Sequence, residues 1–394
     1  MIAIFFCLAL VASAISWSTC LFVKKFGPSF GLIDKPGFRK IHEKPIPTGG
    51  GLGVFAGVLL PFAFVSLVAL GYSESNATVW GAPLSLLPSA AAERLGGVAA
   101  RLPQLWSLLG LGAALVVLGT IDDRKGLPWG LRLGVEFLVA IVAVACGWRA
   151  TFFVAAPWIT FVVSVFWIVG LINSFNMLDN MDALSGGVAS ICALFLAAVA
   201  FLLAPNPHSG EPQYFLGGFL LVLVGAILGF LVLNRPPAKM FMGDGGAYFI
   251  GFLLATTALS ITFVGENTPK TAIFAPICIL AVPLYDTISV VAIRLSRRVS
   301  PFVGDKNHYS HRLVDMGLSK KQAVGVIYLT TLVCATGALY LYQVNFAAAL
   351  LVLAQTGLTL SLVAILEFAA RKKIRESNEK ETSQKNPSDQ KEEK

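Results

Sequence analysis

Phe241-Met242-Gly243-Asp244-Gly245-Gly246 is a short polar break between two apolar runs, 215–233 and 246–264. Each run is long enough to cross a bilayer. Three other breaks of the same kind carry Asp122-Asp123, Asn173/Asn176/Asp179/Asp182 and His308/His311. The chain is 56% hydrophobic and only 13% charged, so carboxylates, amides and histidines gathered at the ends of apolar runs demand a reason. If the breaks share one side of a membrane, they assemble one polar site at its surface.

Outward from that stretch, the reading is of an all-α polytopic membrane protein. The mean hydropathy of +0.74 is too high for a soluble globule. Eleven spans are predicted, at 2–23, 50–71, 105–121, 131–147, 152–172, 185–204, 215–233, 246–264, 271–293, 322–342 and 346–369. Nothing basic precedes Lys24, so the first run reads as an uncleaved helix rather than a signal peptide. Cys7, Cys20, Cys146, Cys192, Cys278 and Cys334 fall in or beside apolar runs without a Cys-x-x-Cys pair, which suits packing residues. The loop 72–104 is the longest and carries no motif.

The net charge of +8 would suggest nucleic acid in a soluble chain, but here the placement of charge matters more. Of the 30 lysines and arginines, 26 fall in alternate loops and the tail. The positive-inside rule makes that side cytoplasmic, with the N-terminus outside and the C-terminus inside. All the polar breaks lie on this side. Residues 1–370 read as one catalytic domain. The charged tail 371–394 has almost no apolar residue and is expected to be disordered.

Each break admits a plain reading and a chemical one. Asp122-Asp123, followed by Arg124-Lys125, is either a solvated helix end or a site for Mg²⁺ or a basic group, since adjacent carboxylates repel. Asn173, Asn176, Asp179 and Asp182 recur every third residue. On an α-helix that stripe drifts about 60° per step, so the four share a face only where the helix is unwound. They are a polar cap or a set of hard oxygen ligands suited to Mg²⁺. Gly243 and Gly245 would let backbone amides approach a phosphate beside a helix N-terminus; alternatively, Asp244 merely caps that helix. His308, His311 and Arg312 could bind phosphate or form a solvated basic loop; zinc is a weaker idea, with no third histidine or cysteine alongside. Arg39-Lys40-Ile41-His42, then Pro45-Ile46-Pro47 and Gly49-Gly50-Gly51, is either a charge anchor or a shaped loop near a ligand.

Taken in order, these segments resemble the polyprenyl-phosphate N-acetylhexosamine-1-phosphate transferases, over about residues 34–318. The resemblance implies transfer of a sugar-1-phosphate from a UDP-sugar to undecaprenyl phosphate, with UMP released at the cytoplasmic face of a bacterial membrane. It implies Mg²⁺, or Mn²⁺ in its place, on Asp244 and Asn176. It assigns Asp122, Asp123, Asp179 and Asp182 to catalysis. Asn173, Lys125, His308, His311, Arg312, Arg39, His42, Gly243 and Gly245 would bind substrate. The opening segment and His-x-x-His-Arg look like the branch using UDP-N-acetylglucosamine; the phospho-muramoyl-pentapeptide branch is the alternative. Asp122 is expected to act as a base or to position the acceptor. A homodimer is left open, and no nucleic acid is expected.

The chain departs from the family pattern in three places. Asp179-Asn180-Met181-Asp182-Ala183 has Asn and Ala where the family has glycines, Ser310 stands for a histidine and Ala247 for a serine. A transporter or a non-catalytic relative is the competing class. A transporter would place its charges at mid-span and show repeated halves; here the carboxylates cluster at span ends, with Asp286 and Glu136 the main exceptions, and no repeat is evident.

Overall fold

The computed structural model describes residues 1–34, 45–73, 78–150, 156–204, 210–261, 270–302, 305 and 307–385, the last sixteen by backbone alone. Arg39 and His42 lie outside the described residues. The chain runs α1 (Ile2–Phe26), β1 (Ile33–Asp34), β2 (Ile46–Pro47), α2 (Gly50–Leu70), β3 (Tyr72–Ser73), β4 (Thr78–Val79), β5 (Ala82–Pro83), α3 (Ser89–Ala92) and α4 (Leu95–Lys125). It continues through α5 (Trp129–Ala145), α6 (Pro157–Leu178), α7 (Leu184–Ala198), α8 (Tyr214–Asn234) and α9 (Asp244–Ser260). It ends with α10 (Ala275–Ile279), α11 (Ala281–Ser296), α12 (Tyr309–Asp315), α13 (Lys320–Tyr340) and α14 (Phe346–Lys385).

Among the described residues, eight helices are long and apolar enough to cross a membrane, and a ninth such segment is bent by 65° between α10 and α11. The predicted spans 131–147 and 246–264 correspond to α5 and α9, of 17 residues each. Two small antiparallel sheets, β1–β2 and β3–β4–β5, qualify the all-α expectation. β1 and β2 pair Ile33 with Pro47 and Asp34 with Ile46.

A helix apolar all round belongs inside a bundle. α9 is such a helix: every residue from Gly245 to Ala258 is buried. It packs on α4 and α6, while α8, also largely buried, is crossed by α1 and flanked by α7 and α2. α1 and the apolar part of α14 keep most of their surface exposed, as lipid-facing helices do. α14 continues to Lys385, through the stretch whose composition predicts disorder. That composition is poor in apolar residues but rich in Lys, Glu and Arg, which favour helix where no core is needed.

Candidate active site

The start of α9 is the fixed point of the site. Two flanking helices approach it without side chains. A Cβ on Gly51 of α2 would lie 2.2 Å from the Gly246 Cα, and one on Gly119 of α4 would lie 2.2 Å from the Gly245 nitrogen. Gly245 and Gly246 are therefore needed for helix packing, and Gly245, which the resemblance placed at the substrate, is buried against α4 and is not among the residues that line the cavity beside Asp244. Gly243 turns the chain into α9 with φ of +78°. The free amide at this helix end belongs to Asp244, and it donates to both Asp123 carboxylate oxygens at 3.1 and 3.2 Å. Asp123 thus supplies the capping charge, and Asp244 keeps its own carboxylate for other work. The Asp244 Oδ1 accepts from the Asn176 amide at 2.7 Å, and Oδ2 lies 4.0 Å from the Arg132 guanidinium.

Asp122 does not line the cavity, and its carboxylate lies against that of Asp244. Adjacent residues on a helix diverge by about 100°, and Asp122 is buried at 6% exposure. It accepts from the Leu127 amide at 2.6 Å, Arg132 at 2.7 Å and the Tyr248 hydroxyl at 3.3 Å. It locks the α4–α5 turn and holds Arg132 beside Asp244. The sequence reading counted Arg132 only as a positive charge on its loop.

α6 stops at Leu178, and the next turns are irregular, as the three-residue spacing requires. Asn173, still on the helix, is committed to Glu136 of α5 and to the Val169 carbonyl. Asp179 and Asp182 reach a cavity, where the Asp182 carboxylate also accepts from the Ala238 amide at 2.9 Å. Ala183 takes the left-handed conformation, φ +62°, ψ 0°. Its amide is bound by the Asn234 side chain at 2.8 Å and its carbonyl by the Tyr328 hydroxyl. An L-residue with a Cβ costs about 1–2 kcal/mol there. Ala183→Gly should therefore raise stability by about 0.5–1 kcal/mol once the larger unfolded-state entropy of glycine is deducted, read as a higher unfolding midpoint in detergent.

The histidine loop divides its roles. The His308 Nδ1 lies 3.0 Å from Asp286 of α11, whose other oxygen accepts from the Tyr309 amide at 2.6 Å. Arg312 is buried at 2% exposure; its Nε donates to Glu367 of α14 at 2.7 Å and its Nη1 to the Asn307 carbonyl. Of the three predicted phosphate binders, His311 alone lines the cavity. Ser310 donates to Asn180, so two of the departures from the expected family pattern meet. Asp286 and Glu367 are the carboxylates that anchor this loop, and neither was assigned a role from the sequence. Their signal, a charge inside an apolar run, is visible in the sequence, but their partners are not.

The cavity has a volume of about 920 Å³. Among the described residues, Asp34, Asp123, Asp179, Asp182, Asp244 and Asp305 line it, against His311 and Lys320 as the basic residues in its lining. Lys125 is exposed on the surface and is not part of it. Burial, then the charges of Asp123 and Asp182, push the Asp179 carboxyl up to about 7. Asp305 goes the other way: burial would raise it, but bonds from Arg294 and Asn307 hold it at about 2. Among the described residues no three His, Cys, Asp or Glu side chains form a complete ligand set. The aspartates gathered in this lining nevertheless fit a hard divalent cation, which takes such donors and keeps several waters.

The glycosyl transferase family 4 profile matches residues 105–262, the stretch that contributes Asp123, Asn176, Asp179, Asp182 and Asp244. The chain is 30% identical over 330 residues to a probable undecaprenyl-phosphate N-acetylglucosaminyl 1-phosphate transferase of Bacillus subtilis, covering 81% of this chain and 80% of the relative. It is 28% identical over 328 residues to the undecaprenyl-phosphate alpha-N-acetylglucosaminyl 1-phosphate transferase of Escherichia coli K12, covering 80% and 78%. The Yersinia pestis protein of that name is 30% identical over 331 residues, again covering 80% and 78%. With 30% identity and likeness extending over about four fifths of both chains, the chain belongs to glycosyl transferase family 4.

Proposed function

We propose that this protein transfers N-acetylglucosamine 1-phosphate from UDP-N-acetylglucosamine to undecaprenyl phosphate and releases UMP. The observation that carries the reading is one cavity lined by Asp123, Asp179, Asp182 and Asp244, which come from three separate breaks between apolar helices. The printed activities of the relatives supply the substrates. We further infer eleven spans, counting α5, α9 and the bent α10–α11 segment with the eight long helices, and one catalytic domain through about residue 370. The bias of basic residues supports an outside N-terminus and a cytoplasmic cavity in the bacterial inner membrane.

In the reaction an acceptor phosphate oxygen attacks the sugar-bearing phosphorus of the donor. The bond from that phosphorus to the bridging oxygen breaks, and UMP leaves with the electron pair. A phosphate monoester has a second pKa of about 6 and is largely dianionic at pH 7, so no strong base is required. Asp122, enclosed by three donors, is better suited to positioning Arg132 than to taking a proton. Asn176 orients the Asp244 carboxylate, and Asp123 fixes its backbone. His311 and Lys320 meet the negative charge of the substrates. Asp244, Asn176 and Asp179 would hold Mg²⁺ or Mn²⁺, which when bound screens the diphosphate and the leaving UMP.

Purified protein in detergent tests the reading through UMP release with UDP-N-acetylglucosamine, undecaprenyl phosphate and Mg²⁺. Release that needs all three is expected. Folded protein that yields no UMP with this donor or with other UDP-sugars would overturn the transferase assignment.

A further inference from the structure

α12, which carries His311 into the cavity, is tied on two sides. On the side away from the cavity, Asp286 holds His308 and the Tyr309 amide, the Tyr309 hydroxyl meets Thr330 at 3.2 Å, and Glu367 holds Arg312. Another tie crosses to the opposing wall. The Ser310 hydroxyl donates to the Asn180 side-chain oxygen at 2.5 Å. The Asn180 amide nitrogen donates in turn to the Met177 carbonyl at 2.8 Å, which fixes the side chain against the end of α6. Asn180 lines the cavity between Asp179 and Asp182, while Ser310 is 1% exposed and immediately precedes His311. One hydrogen bond therefore joins the carboxylate-bearing turn to the segment bearing His311.

We propose that Asn180 and Ser310 are a positioning pair, whose bond sets the spacing between His311 and the Asp179–Asp182 turn across the phosphate-bearing substrate. This rests on the transferase reading. The pair touches neither reacting atom. Its loss would leave the outward ties of α12 to Asp286, Thr330 and Glu367 in place, so the fold should hold. Asn180 opens to the cavity, where water can take the place of the hydroxyl, which keeps the stability cost small. The rate is more exposed, because small displacements of aligned groups lower it steeply.

The experiment compares wild type, Ser310→Ala, Asn180→Ala, the double variant and Ser310→Thr. It measures UMP release against donor concentration, UDP binding by calorimetry, and thermal unfolding. Ser310→Ala should lower kcat about five- to tenfold, the effect of one neutral hydrogen bond, with KM for the donor and the unfolding midpoint nearly unchanged. The double variant should be no slower than the slower single one, since both remove one interaction, and Ser310→Thr, which keeps the hydroxyl, should recover rate. Full kcat in Ser310→Ala, multiplying losses in the double variant, or losses that follow a falling unfolding midpoint would overturn the pairing. Wild type that neither binds UDP nor turns over would remove the transferase reading and this pair together. Active wild type with insensitive variants would remove the pair alone.

Discussion

Asp244→Asn should reduce lipid-dependent UMP release by about a hundred- to a thousandfold, the scale seen when a group stabilising transition-state charge is removed, while leaving the protein at least as stable. The two effects separate because of how α9 begins. The Asp123 carboxylate caps the backbone amide of residue 244, and that bond does not depend on the residue's own side chain. The substitution keeps the shape of the side chain and a hydrogen-bonding oxygen facing Asn176. It removes one negative charge from a cavity already lined by five other aspartates, which relieves repulsion. Activity bought with stored repulsion is a common trade at such sites. Thermal unfolding gives a second readout. A cation bound only by the native state at a hundred times its Kd stabilises by about 2.7 kcal/mol. Wild type should therefore melt later with Mg²⁺ or Mn²⁺, and Asp244→Asn should show little shift. A variant that is active, or that responds to the cation as wild type does, would rule out Asp244 as the ligand.

Arg312→Ala should cost about 3–5 kcal/mol, because it leaves Glu367 as an uncompensated buried charge. Glu367 accepts from Arg312 at 2.7 Å and from the Tyr285 hydroxyl at 3.3 Å. The guanidinium also sits 5.7 Å from the Tyr285 ring centre and 5.9 Å from that of Tyr309, close enough for cation–π attraction. Removing both charges is a different experiment. Arg312→Met with Glu367→Leu exchanges the pair for apolar volume, which is often neutral or stabilising. The double variant should recover most of the lost stability and, because Arg312 faces away from the cavity, most of the UMP release. A double variant that is stable yet inactive would return Arg312 to the substrate.

The sequence located the membrane helices and the polar breaks because both are local signals: a run of apolar residues, and its interruption. It could not divide labour within a break. Asp122 and Asp123 are neighbours in the chain, yet a 100° turn of helix sends one to the interior and the other to the cavity. The glycines around Asp244 read as room for phosphate, whereas Gly245 and Gly246 answer to Gly119 and Gly51, more than a hundred positions away. Glu367 passed unnoticed inside an apolar run because the arginine that justifies it lies 55 residues earlier. α4 begins at Leu95, ten residues before the predicted span, because Arg101 and Pro103 lower the local hydropathy without ending the helix. Arg39 and His42, placed near the substrate by the resemblance, lie outside the described residues.

The contact of α2, α4 and α9 at Gly51, Gly119, Gly245 and Gly246 also bears on how such a site can change by descent. Three helix backbones touch there, so almost any added atom would have to move a whole helix. That corner offers mutation nothing to vary by degrees, and the carboxylate it carries is inherited all or nothing. The facing wall is made of side chains on a turn and a short helix, where residues 180, 183 and 310 can be exchanged one at a time. Drift in the choice of substrate should therefore accumulate on that wall, while the corner that holds Asp244 stays the same.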